Sequence, residues 1–254
     1  MNTQQPNRAA WLQGPAAQCT PQAQKHTPSW RIVLLGAPGV GKGTQAQLLH
    51  EKLGACHLST GDVFRAASRS DCPPSPSMAK ALAFMRRGAL VPDTTVWDLV
   101  RERAACLHCH GGFLLDGFPR TLAQAEALND LLEQEHLPLD AVINYDLPIP
   151  EIISRLSGRR TCAKCKAVFH VTGQPPKREG ICDHCGSALF RREDDRPESI
   201  QVRLAAYTES TAPLIDLYRN LGILITIPAI GAPDQICHST IAALHAATHS
   251  TVTP

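Results

Sequence analysis

The sequence predicts an α/β fold in which helices cover both faces of a parallel β-sheet. Short apolar segments alternate with segments of helical spacing along most of the chain. One apolar segment leads directly into a glycine-rich turn and then a helix. The chain has 254 residues, 43% of them hydrophobic, which is enough to bury a sizeable core. Because strands and helices alternate, we expect a three-layer arrangement with parallel strands in the middle.

The first predicted strand is Arg31–Leu35, an apolar segment typical of a strand that is buried on both faces. A glycine-rich turn follows it. Residues Thr44–Leu53 then have helical spacing, and Gly54 is a typical helix-ending residue. This strand, turn and helix form the first repeat of the alternating pattern.

The same alternation continues toward the end of the chain. Apolar segments predict further strands at residues 112–116, 141–146 and 223–227. Helices are predicted at residues 121–134, at 150–157, from Pro197 onward, and after the last strand. Proline suits a first helical turn because its φ angle is already helical and its missing N–H is not needed there.

Two segments interrupt the alternation, and we interpret them as insertions. Residues 59–91 are largely helical with a proline-rich break at 71–77, whereas residues 158–195 have two cysteine pairs, many charges and little apolar content. The core then consists of residues 30–58, 92–157 and 196–248. Residues 1–29 have no acidic residue and no periodicity, which predicts a disordered tail, with a targeting peptide as the alternative. Residues 249–254 are predicted to be a C-terminal tail.

The charge balance argues against two classes of partner. The formal net charge is +2, so bulk charge gives no support for a nucleic acid or membrane-surface partner. Eighteen apolar residues never follow one another, which excludes a membrane-spanning helix. The chain has ten cysteines but no hydrophobic signal segment, and six of them form CxxC pairs. We therefore expect a reducing, cytoplasmic location.

The strongest functional pattern is the segment Gly36-Ala-Pro-Gly-Val-Gly-Lys-Gly-Thr44. It has the GxxxxGK spacing of a phosphate-binding loop, and it lies between a predicted strand and a predicted helix, as that motif requires. Glycines allow backbone N–H groups to turn toward phosphate oxygens, and a helix N-terminus favours negative charge. Lys42 can reach the terminal phosphates. A glycine-rich turn without a ligand is the alternative, which the matching context disfavours.

Charged residues near predicted turns extend this phosphate site. Asp116 ends an apolar strand and can hold Mg²⁺ directly or through water, although a strand-end Asp is more often a turn former. Planar guanidinium groups match the charge that develops on a transferred phosphoryl group. For any one arginine, a solvated surface position is the more common role. Six arginines near turns or element ends are candidates: Arg65, Arg120, Arg155, Arg159, Arg192 and Arg203.

Two cysteine pairs have the spacing of a metal site. The pairs are Cys162-x2-Cys165 and Cys182-x2-Cys185, separated by sixteen residues. This spacing indicates a tetrahedral structural Zn²⁺ site. Four protein ligands fill the coordination sphere, so such a metal would fold the insertion and not catalyse. A redox role is the alternative, but it needs only one CxxC pair.

A third pair, Cys106-x2-Cys109, has no second pair at a suitable distance. We therefore predict packing in the core and in a turn for this pair, with metal binding as the alternative. The other cysteines, Cys19, Cys56, Cys72 and Cys237, are interpreted as isolated residues without a functional role.

These motifs together resemble a known family. Their order is that of the nucleoside monophosphate kinases: Gly36–Thr44, Ser59–Asp62, Asp116–Thr121, Gly158–Arg160 and Arg192–Asp195. The chain is most similar to the bacterial adenylate kinase family, in the long-lid form with a four-cysteine zinc site, over about residues 31–247. The resemblance implies a P-loop NTPase fold with an AMP-binding insertion at 59–91 and a zinc-binding lid at 158–195. It also implies a monomer that transfers a phosphoryl group between MgATP and AMP, giving two ADP.

The resemblance also implies a set of site residues. The ATP side comprises Gly39, Val40, Gly41, Lys42, Gly43, Thr44, Arg155, Arg159, Val168, Phe169 and Gly231. The AMP side comprises Thr60, Arg65, Ala89, Leu90, Val91, Gly117, Phe118, Pro119, Arg120, Gln124, Arg192 and Arg203. The residues expected to stabilise the transferred group are Lys42, Arg120, Arg159, Arg192 and Arg203. Asp116 is expected to hold Mg²⁺ through water.

Two other functions are compatible with parts of this pattern. A related kinase could use UMP, CMP or GMP as the acceptor, but Thr60 and Gln124 favour AMP. A non-catalytic nucleotide-binding zinc-ribbon protein would not need Lys42, Asp116 and the set of arginines.

Overall fold

The computed structural model describes residues 29–67, 76–102 and 104–250. The predicted N-terminal tail, except Ser29, lies outside the described residues, as do the proline-rich positions 71–75 and the chain end at 251–254. The strands are β1 Trp30–Leu35, β2 Cys56–Ser59, β3 Gly112–Asp116, β4 Ala141–Asp146, β5 Arg159–Cys162, β6 Val168–His170, β7 Leu189–Phe190 and β8 Leu224–Pro228. The α-helices are α1 Lys42–Leu53, α2 Thr60–Ala67, α3 Pro76–Arg86, α4 Asp93–Glu102, α5 Leu122–Gln134, α6 Ile149–Gly158, α7 Pro197–Ala206, α8 Pro213–Asn220 and α9 Pro233–Ser250.

The described residues form a five-stranded sheet in the order β2-β3-β1-β4-β8. Every neighbouring pair in it is parallel. Side chains alternate between the two faces of a strand. Ile32 and Leu34 of β1 therefore lie on one side of the sheet, and Val33 and Leu35 lie on the other. Helices α1, α6 and α9 cover the first side, and α4, α5 and α8 cover the second. The predicted three-layer α/β fold is confirmed.

Most predicted elements differ from the observed ones only at their ends. Helix α1 begins at Lys42, two residues before the predicted start, and the last strand lies one residue later than predicted. Helix α5 begins at Leu122, because Thr121 caps it: the Thr121 hydroxyl accepts a hydrogen bond from the backbone N–H of Gln124. Strand β2 was not predicted. Its four residues are all buried, but His57 and Ser59 are polar, so the segment lacks the apolar run of the other strands.

Residues 159–190 contain a second, smaller sheet. Strands β6, β5 and β7 are antiparallel neighbours in that order. The apolar cluster beneath them is small, with Cys162, Phe169 and Cys182 as its buried members. This part of the chain therefore buries too little apolar surface to supply much folding energy by itself.

The segments 59–91 and 158–195 meet near the carboxyl ends of the central strands. Arg86 Nε at the end of α3 lies 3.1 Å from the carboxylate of Glu193, and both side chains are exposed. The backbone carbonyl of Arg86 also accepts a hydrogen bond from Ser199 Oγ at 3.1 Å. Through the described part of the chain, none of the helices is both long enough and apolar enough to cross a bilayer.

Candidate active site

A cleft of about 1380 Å³ lies at the carboxyl ends of the parallel strands. This is where doubly wound sheets bind ligands, because the loops that follow neighbouring strands diverge there. The cleft is lined by the glycine-rich loop after β1, the end of β3, helix α6, and strands β5 and β6 of the small sheet. Residues far apart in the sequence therefore face one enclosed space.

Glycines shape the loop between β1 and α1. Gly36 has φ 130°, and a Cβ there would lie 2.4 Å from the carbonyl oxygen of Tyr145 on β4. Gly41 has φ 103° and comes directly before helix α1. L-residues with a side chain rarely adopt such angles, so glycine is required at both positions. The loop can therefore pass close to β4 and end at the N-terminus of a helix.

Lys42, the first residue of α1, extends back over this loop. Its ammonium group donates hydrogen bonds to the carbonyl oxygens of Gly36 at 2.6 Å and Ala37 at 3.0 Å. The pKa of Lys42 is about 7, below its ordinary value of 10.5, because burial and the nearby charges of Arg120 and Arg203 together outweigh the opposing effect of Asp116. Burial removes water from the ammonium group, so an anion bound beside it would stabilise its positive charge.

Asp116 lies at the end of β3, next to His57 of β2. The distance between His57 Nε2 and Asp116 Oδ2 is 3.4 Å, and the histidine side chain is almost fully buried. Burial by itself would raise the pKa of Asp116, but His57 and Lys42 together outweigh it, so the pKa lies below its ordinary value. Asp116 is therefore a carboxylate near neutral pH, facing the cleft.

A buried aspartate fixes two of the predicted arginines. Asp195 is fully buried, and its two oxygens accept hydrogen bonds from Arg159 Nε at 2.8 Å and from Arg159 Nη2 at 2.5 Å. Arg203 Nη1 donates to Asp195 Oδ1 at 3.1 Å. A bidentate carboxylate holds a guanidinium plane in one orientation. Asp194 Oδ2 also lies 3.1 Å from Arg203 Nη1. Both arginines line the cleft, so Asp195, together with Asp194 at Arg203, sets where their remaining N–H groups point.

The other arginines of the cleft are close enough to affect one another. The pKa of Arg120 is about 10, below its ordinary value, because enclosure in the cleft and the charge of Arg203 both lower it. Burial lowers the pKa of Arg192 as well, with contributions from Arg159 and Arg65. Each of these cations makes the charged form of its neighbours less favourable. Together they form a region of high positive potential, which a phosphate group would neutralise.

A hydrogen-bonded ring of polar groups follows β3. The backbone N–H of Arg120 donates to Gln124 Oε1 at 2.7 Å, and Gln124 Nε2 donates to Asp93 Oδ1 at 2.6 Å. Thr121 Oγ1 donates to the other Asp93 oxygen at 3.0 Å. Nearby, Thr60 Oγ1 donates to the carbonyl oxygen of Gly117 at 3.1 Å. Gln124 is only 2% exposed, so its side-chain amide lies beneath the residues that line the cleft.

Arg155 of α6 connects the glycine-rich loop with the end of β8. Its guanidinium donates to the carbonyl oxygen of Ala229 at 2.8 Å and to that of Val40 at 3.3 Å. Gly231, just beyond, has φ 103° and also lines the cleft. This end of the cleft is therefore built from backbone carbonyls and a planar cation.

The structure brings most of the predicted residues to one place. All residues assigned to the ATP side line the cleft, and so does Asp116. On the AMP side, the lining includes Arg65, Leu90, Gly117, Pro119, Arg120, Arg192 and Arg203. The remaining AMP-side residues do not belong to the lining: Thr60, Ala89, Val91, Phe118 and Gln124. Phe118 is 1% exposed and packs edge-on against Trp97, with 5.3 Å between ring centroids.

The four cysteines of the two spaced pairs come together beside the small sheet. The Sγ atoms of Cys162, Cys165, Cys182 and Cys185 all lie within 4.8 Å of one another. This cluster could hold a metal ion.

The prediction that Cys56 is isolated is wrong. Its Sγ lies 2.9 Å from Sγ of Cys109, across the gap between β2 and the turn before β3. Spacing could not have shown this contact, because parallel pairing of β2 and β3 produces it. Cys106 is 3% exposed and belongs to the apolar core, as predicted. Cys19 and Cys72 lie outside the described residues.

Comparison with known proteins identifies the family. The sequence model of the family described as adenylate kinase matches residues 34–223. An adenylate kinase of Thermodesulfovibrio yellowstonii is 48% identical over 214 residues, which covers 84% of this chain and 98% of the relative. Adenylate kinases of Caldicellulosiruptor saccharolyticus and Streptomyces coelicolor are each 46% identical, over 83% and 84% of this chain and 95% and 98% of their own lengths.

The chain belongs to the adenylate kinase family. It is therefore a phosphotransferase, with the α/β fold described above. The match spans the glycine-rich loop, the four cysteines and every candidate arginine.

Several residues of this adenylate kinase family site were not predicted individually. Asp195 and Asp93 each hold predicted residues in place, His57 contacts Asp116, and Asp62 accepts a hydrogen bond from Arg65 at 2.6 Å. Each of these four side chains comes to lie beside the residue it contacts only when the chain folds. The available signal was weak: Asp62 and Asp195 belong to motifs whose main function was already assigned, and His57 and Asp93 lie outside every motif.

Proposed function

We propose that the protein catalyses the reversible transfer of a phosphoryl group between MgATP and AMP, giving two ADP. The observation that carries this proposal is the convergence of five cations on one cleft that also contains the carboxylate of Asp116. The cations are Lys42, Arg120, Arg159, Arg192 and Arg203. Two bound nucleotides would bring several phosphates into this cleft, which matches such an excess of positive charge.

The ATP side is assigned to the glycine-rich loop and the small sheet. The loop from Gly39 to Thr44 would surround the phosphates with backbone N–H groups at the start of α1. Lys42 would exchange its hydrogen bonds to the loop carbonyls for phosphate oxygens, which would restore its positive charge. Arg155, Gly231 and the strand residues Val168 and Phe169 would enclose the adenosine.

The AMP side is assigned to the other end of the cleft. Arg65 and Arg120 would bind the acceptor phosphate, and Leu90, Gly117 and Pro119 would form the wall beside the nucleoside. Gln124, which lies beneath these residues, would recognise the adenine base. Thr60, which bonds to Gly117, would hold the backbone on which the base rests.

Little covalent chemistry is required of the protein in such a transfer. The acceptor is already a phosphate oxygen, so no general base is needed, and positioning with electrostatic stabilisation supplies most of the rate. Arg159 and Arg203 would stabilise charge on the transferred group in orientations fixed by Asp195. Closure of the 158–195 segment over the cleft would exclude water, which would otherwise compete as the acceptor.

We assign Mg²⁺ to the nucleotide phosphates, with Asp116 as the protein group that holds it through water. The fit rests on Asp116 itself: it faces the cleft, and its pKa lies below the ordinary value, so it offers a hard anionic oxygen. When bound, the cation would neutralise phosphate charge.

We assign Zn²⁺ to the four-cysteine cluster. The Sγ distances of 3.4 Å between Cys162 and Cys185 and 3.5 Å between Cys165 and Cys182 are near the edge of a tetrahedron with Zn–S bonds, about 3.8 Å. Four sulfur ligands leave no open position, so this metal would be structural. It would supply the folding energy that the small apolar cluster of this segment lacks.

The remaining assignments follow from the same function. We infer that residues 59–91 form the AMP-binding unit, that residues 158–195 form the lid, and that residues 30–58, 92–157 and 196–248 form the core. A monomer suffices, since one chain contributes both sides of the cleft. We propose the cytoplasm as its location and nucleotides, not nucleic acids or membranes, as its partners.

An acceptor assay tests the proposed function against its two alternatives. The full-length protein is incubated with MgATP and one of AMP, UMP, CMP or GMP, and the diphosphates are measured. We expect turnover with AMP to exceed turnover with each other acceptor. Preference for another monophosphate would establish the related kinase instead, and absence of turnover with all four would favour the non-catalytic alternative.

A further inference from the structure

We propose that Cys56 and Cys109 form an oxidisable dithiol site, which hydrogen peroxide converts into an intramolecular disulfide. The two Sγ atoms are 2.9 Å apart, which is closer than an ordinary contact between sulfur atoms. They belong to segments 53 residues apart in the sequence. The site lies outside the nucleotide cleft and does not depend on the proposed function.

The fold holds both cysteines in fixed positions. Cys56 is the first residue of β2 and is paired in register with Phe113 of β3. Cys109 comes just before β3, and its carbonyl oxygen accepts a hydrogen bond from the backbone N–H of Gly112 at 2.8 Å. Because β2 and β3 are neighbouring parallel strands, the chain segments that enter them must lie side by side.

Glycines make this close approach possible. A Cβ on Gly111 would lie 2.3 Å from the carbonyl oxygen of Gly54, and a Cβ on Gly112 would lie 2.0 Å from that of Trp30. The turn that contains Cys109 is therefore packed directly against the backbone before Cys56. Neither sulfur needs a large backbone movement to reach bonding distance, and such fixed proximity raises the rate of an intramolecular reaction.

The difference in burial sets the order of the reaction. Cys56 is 5% exposed, whereas Cys109 is only partly buried. The Cys109 thiolate would attack the peroxide O–O bond, which gives a sulfenic acid and releases water after protonation of the leaving oxygen. Sulfur of Cys56 would then attack the sulfenic sulfur, lose its proton and displace the hydroxyl as a second water. Two thiols are oxidised to one disulfide, and one peroxide is reduced to two waters.

The disulfide would close a loop that contains the whole 59–91 segment. A cross-link between residues 56 and 109 would restrict the unfolded chain, and long loops gain the most from this effect. The bond would lie where the strands begin, whereas the cleft lies at their carboxyl ends. We therefore expect the oxidised protein to melt about 5 °C higher than the reduced protein.

Trypsin fragments provide a direct test. Cleavage after Lys52 and Arg65 gives a fragment of residues 53–65 with Cys56, and cleavage after Arg103 and Arg120 gives residues 104–120 with Cys106 and Cys109. The zinc-loaded full chain is treated with one equivalent of hydrogen peroxide, alkylated and digested without reductant. We expect the two fragments to be joined in a product lighter than their sum by two hydrogen atoms. Reductant should separate them.

Matched variants identify the sulfur that reacts. Cys106→Ser should retain the cross-link and the rise in melting temperature, whereas Cys109→Ser, at a partly exposed position, should fold and lose both. Cys237→Ala, which keeps the buried α9 position apolar, should retain the cross-link and the rise in melting temperature on oxidation. The proposal is overturned if the fragment 104–120 forms its own internal disulfide, if Cys106→Ser abolishes the cross-link, or if Cys109 is oxidised to sulfinic acid without joining Cys56.

Discussion

The carboxylate of Asp93 accepts a hydrogen bond from the side-chain amide of Gln124, with 2.6 Å between Oδ1 and Nε2. At the other end of the amide, Gln124 Oε1 accepts a hydrogen bond from the backbone N–H of Arg120 at 2.7 Å. A carboxylate only accepts and a backbone N–H only donates, so these partners fix which end of the amide is nitrogen. A flipped amide would be repelled at both ends. The hydrogen-bonding polarity of Gln124, which we propose as an AMP-side residue, is therefore fixed.

Asp93→Asn is expected to weaken discrimination between AMP and GMP. Adenine presents an amino donor beside a ring-nitrogen acceptor, and guanine presents an oxo acceptor beside an N–H donor, so one amide orientation matches only one of them. An Asn at position 93 can donate or accept, so only the backbone N–H of Arg120 would still oppose the flipped orientation of Gln124. We expect the ratio of kcat/KM for AMP to that for GMP to fall about 10-fold, mainly through KM.

Asp98→Asn is the matched control for this measurement. It removes the same charge from an exposed position on the same helix, α4, and should leave the ratio unchanged. A parental ratio in Asp93→Asn would contradict the orienting role. An equal loss of kcat with both acceptors would show instead that Asp93 is purely structural.

Asp195→Asn should impair both catalysis and folding. Asp195 is fully buried and pairs with two arginines, so its loss leaves Arg159 without its bidentate partner and Arg203 with Asp194 in place of two carboxylates. We expect kcat to fall about 100-fold, since small misplacements of positioning groups are this costly. Breaking a buried pair should also lower the free energy of unfolding by about 3 kcal/mol. Stopped assays and urea unfolding measure the two effects.

The exposed neighbour Glu193 serves as the control for Asp195. Glu193→Gln also removes one negative charge from the same turn, but Glu193 is exposed and pairs across the surface with Arg86. Such pairs contribute little to stability, so kcat and unfolding should stay near the parental values. If the two variants behaved alike, the loss in Asp195→Asn could not be assigned to the buried pair.

Lys42→Met should abolish turnover and stabilise the protein at low pH. The pKa of Lys42 is about 7 in the folded protein, against 10.5 ordinarily. Below pH 7 the ammonium is present in both states, so folding bears the full cost of burying it. Between pH 7 and 10.5 the unfolded chain binds more protons, and the stability of the parent rises with pH.

Melting curves across this pH range measure the effect of Lys42→Met. The variant should melt above the parent at pH 6, and the difference should shrink as the pH approaches 10. A difference that did not depend on pH would contradict the lowered pKa. Retained turnover in the variant would contradict the phosphate-binding role of Lys42.

Removal of metal should loosen the 158–195 segment. With a strong chelator, we expect a lower melting temperature and faster tryptic cleavage within this segment, because its apolar cluster is too small to hold it. Cys162→Ser should reproduce this behaviour, whereas Cys237→Ala, which keeps the buried α9 position apolar, should respond to the chelator as the parent does. Protein that contains no stoichiometric zinc and melts identically with and without chelator would refute the zinc assignment.

The sequence predicted the parts of the fold whose signals are local. The β1 strand is a continuous apolar run, and the glycine-rich loop has fixed spacing between a strand and a helix, so both are visible in a short window. Strand β2 was missed because its burial results from pairing with β3 and not from its own polar composition. The strands of the small sheet are two to four residues long, too short for any periodic signal.

The residues of the site also divide into those with a local sequence signal and those whose contacts depend on the fold. Lys42 and Asp116 could be predicted because each belongs to a motif with a known position in the fold. Asp195 and Asp93 act through partners 36 and 31 residues away, and only the folded chain shows those contacts. The contact between Cys56 and Cys109 is of the same kind.

The reverse reaction tests the central claim most directly. The protein is given ADP and Mg²⁺ alone, and the phosphorus resonances of the nucleotides are followed by NMR. We expect ATP and AMP to appear in equal amounts until the mixture reaches equilibrium, and we expect Lys42→Met to leave ADP unchanged. ADP that persists with the parent protein, or that converts equally fast with Lys42→Met, would contradict phosphoryl transfer between two adenine nucleotides at this cleft.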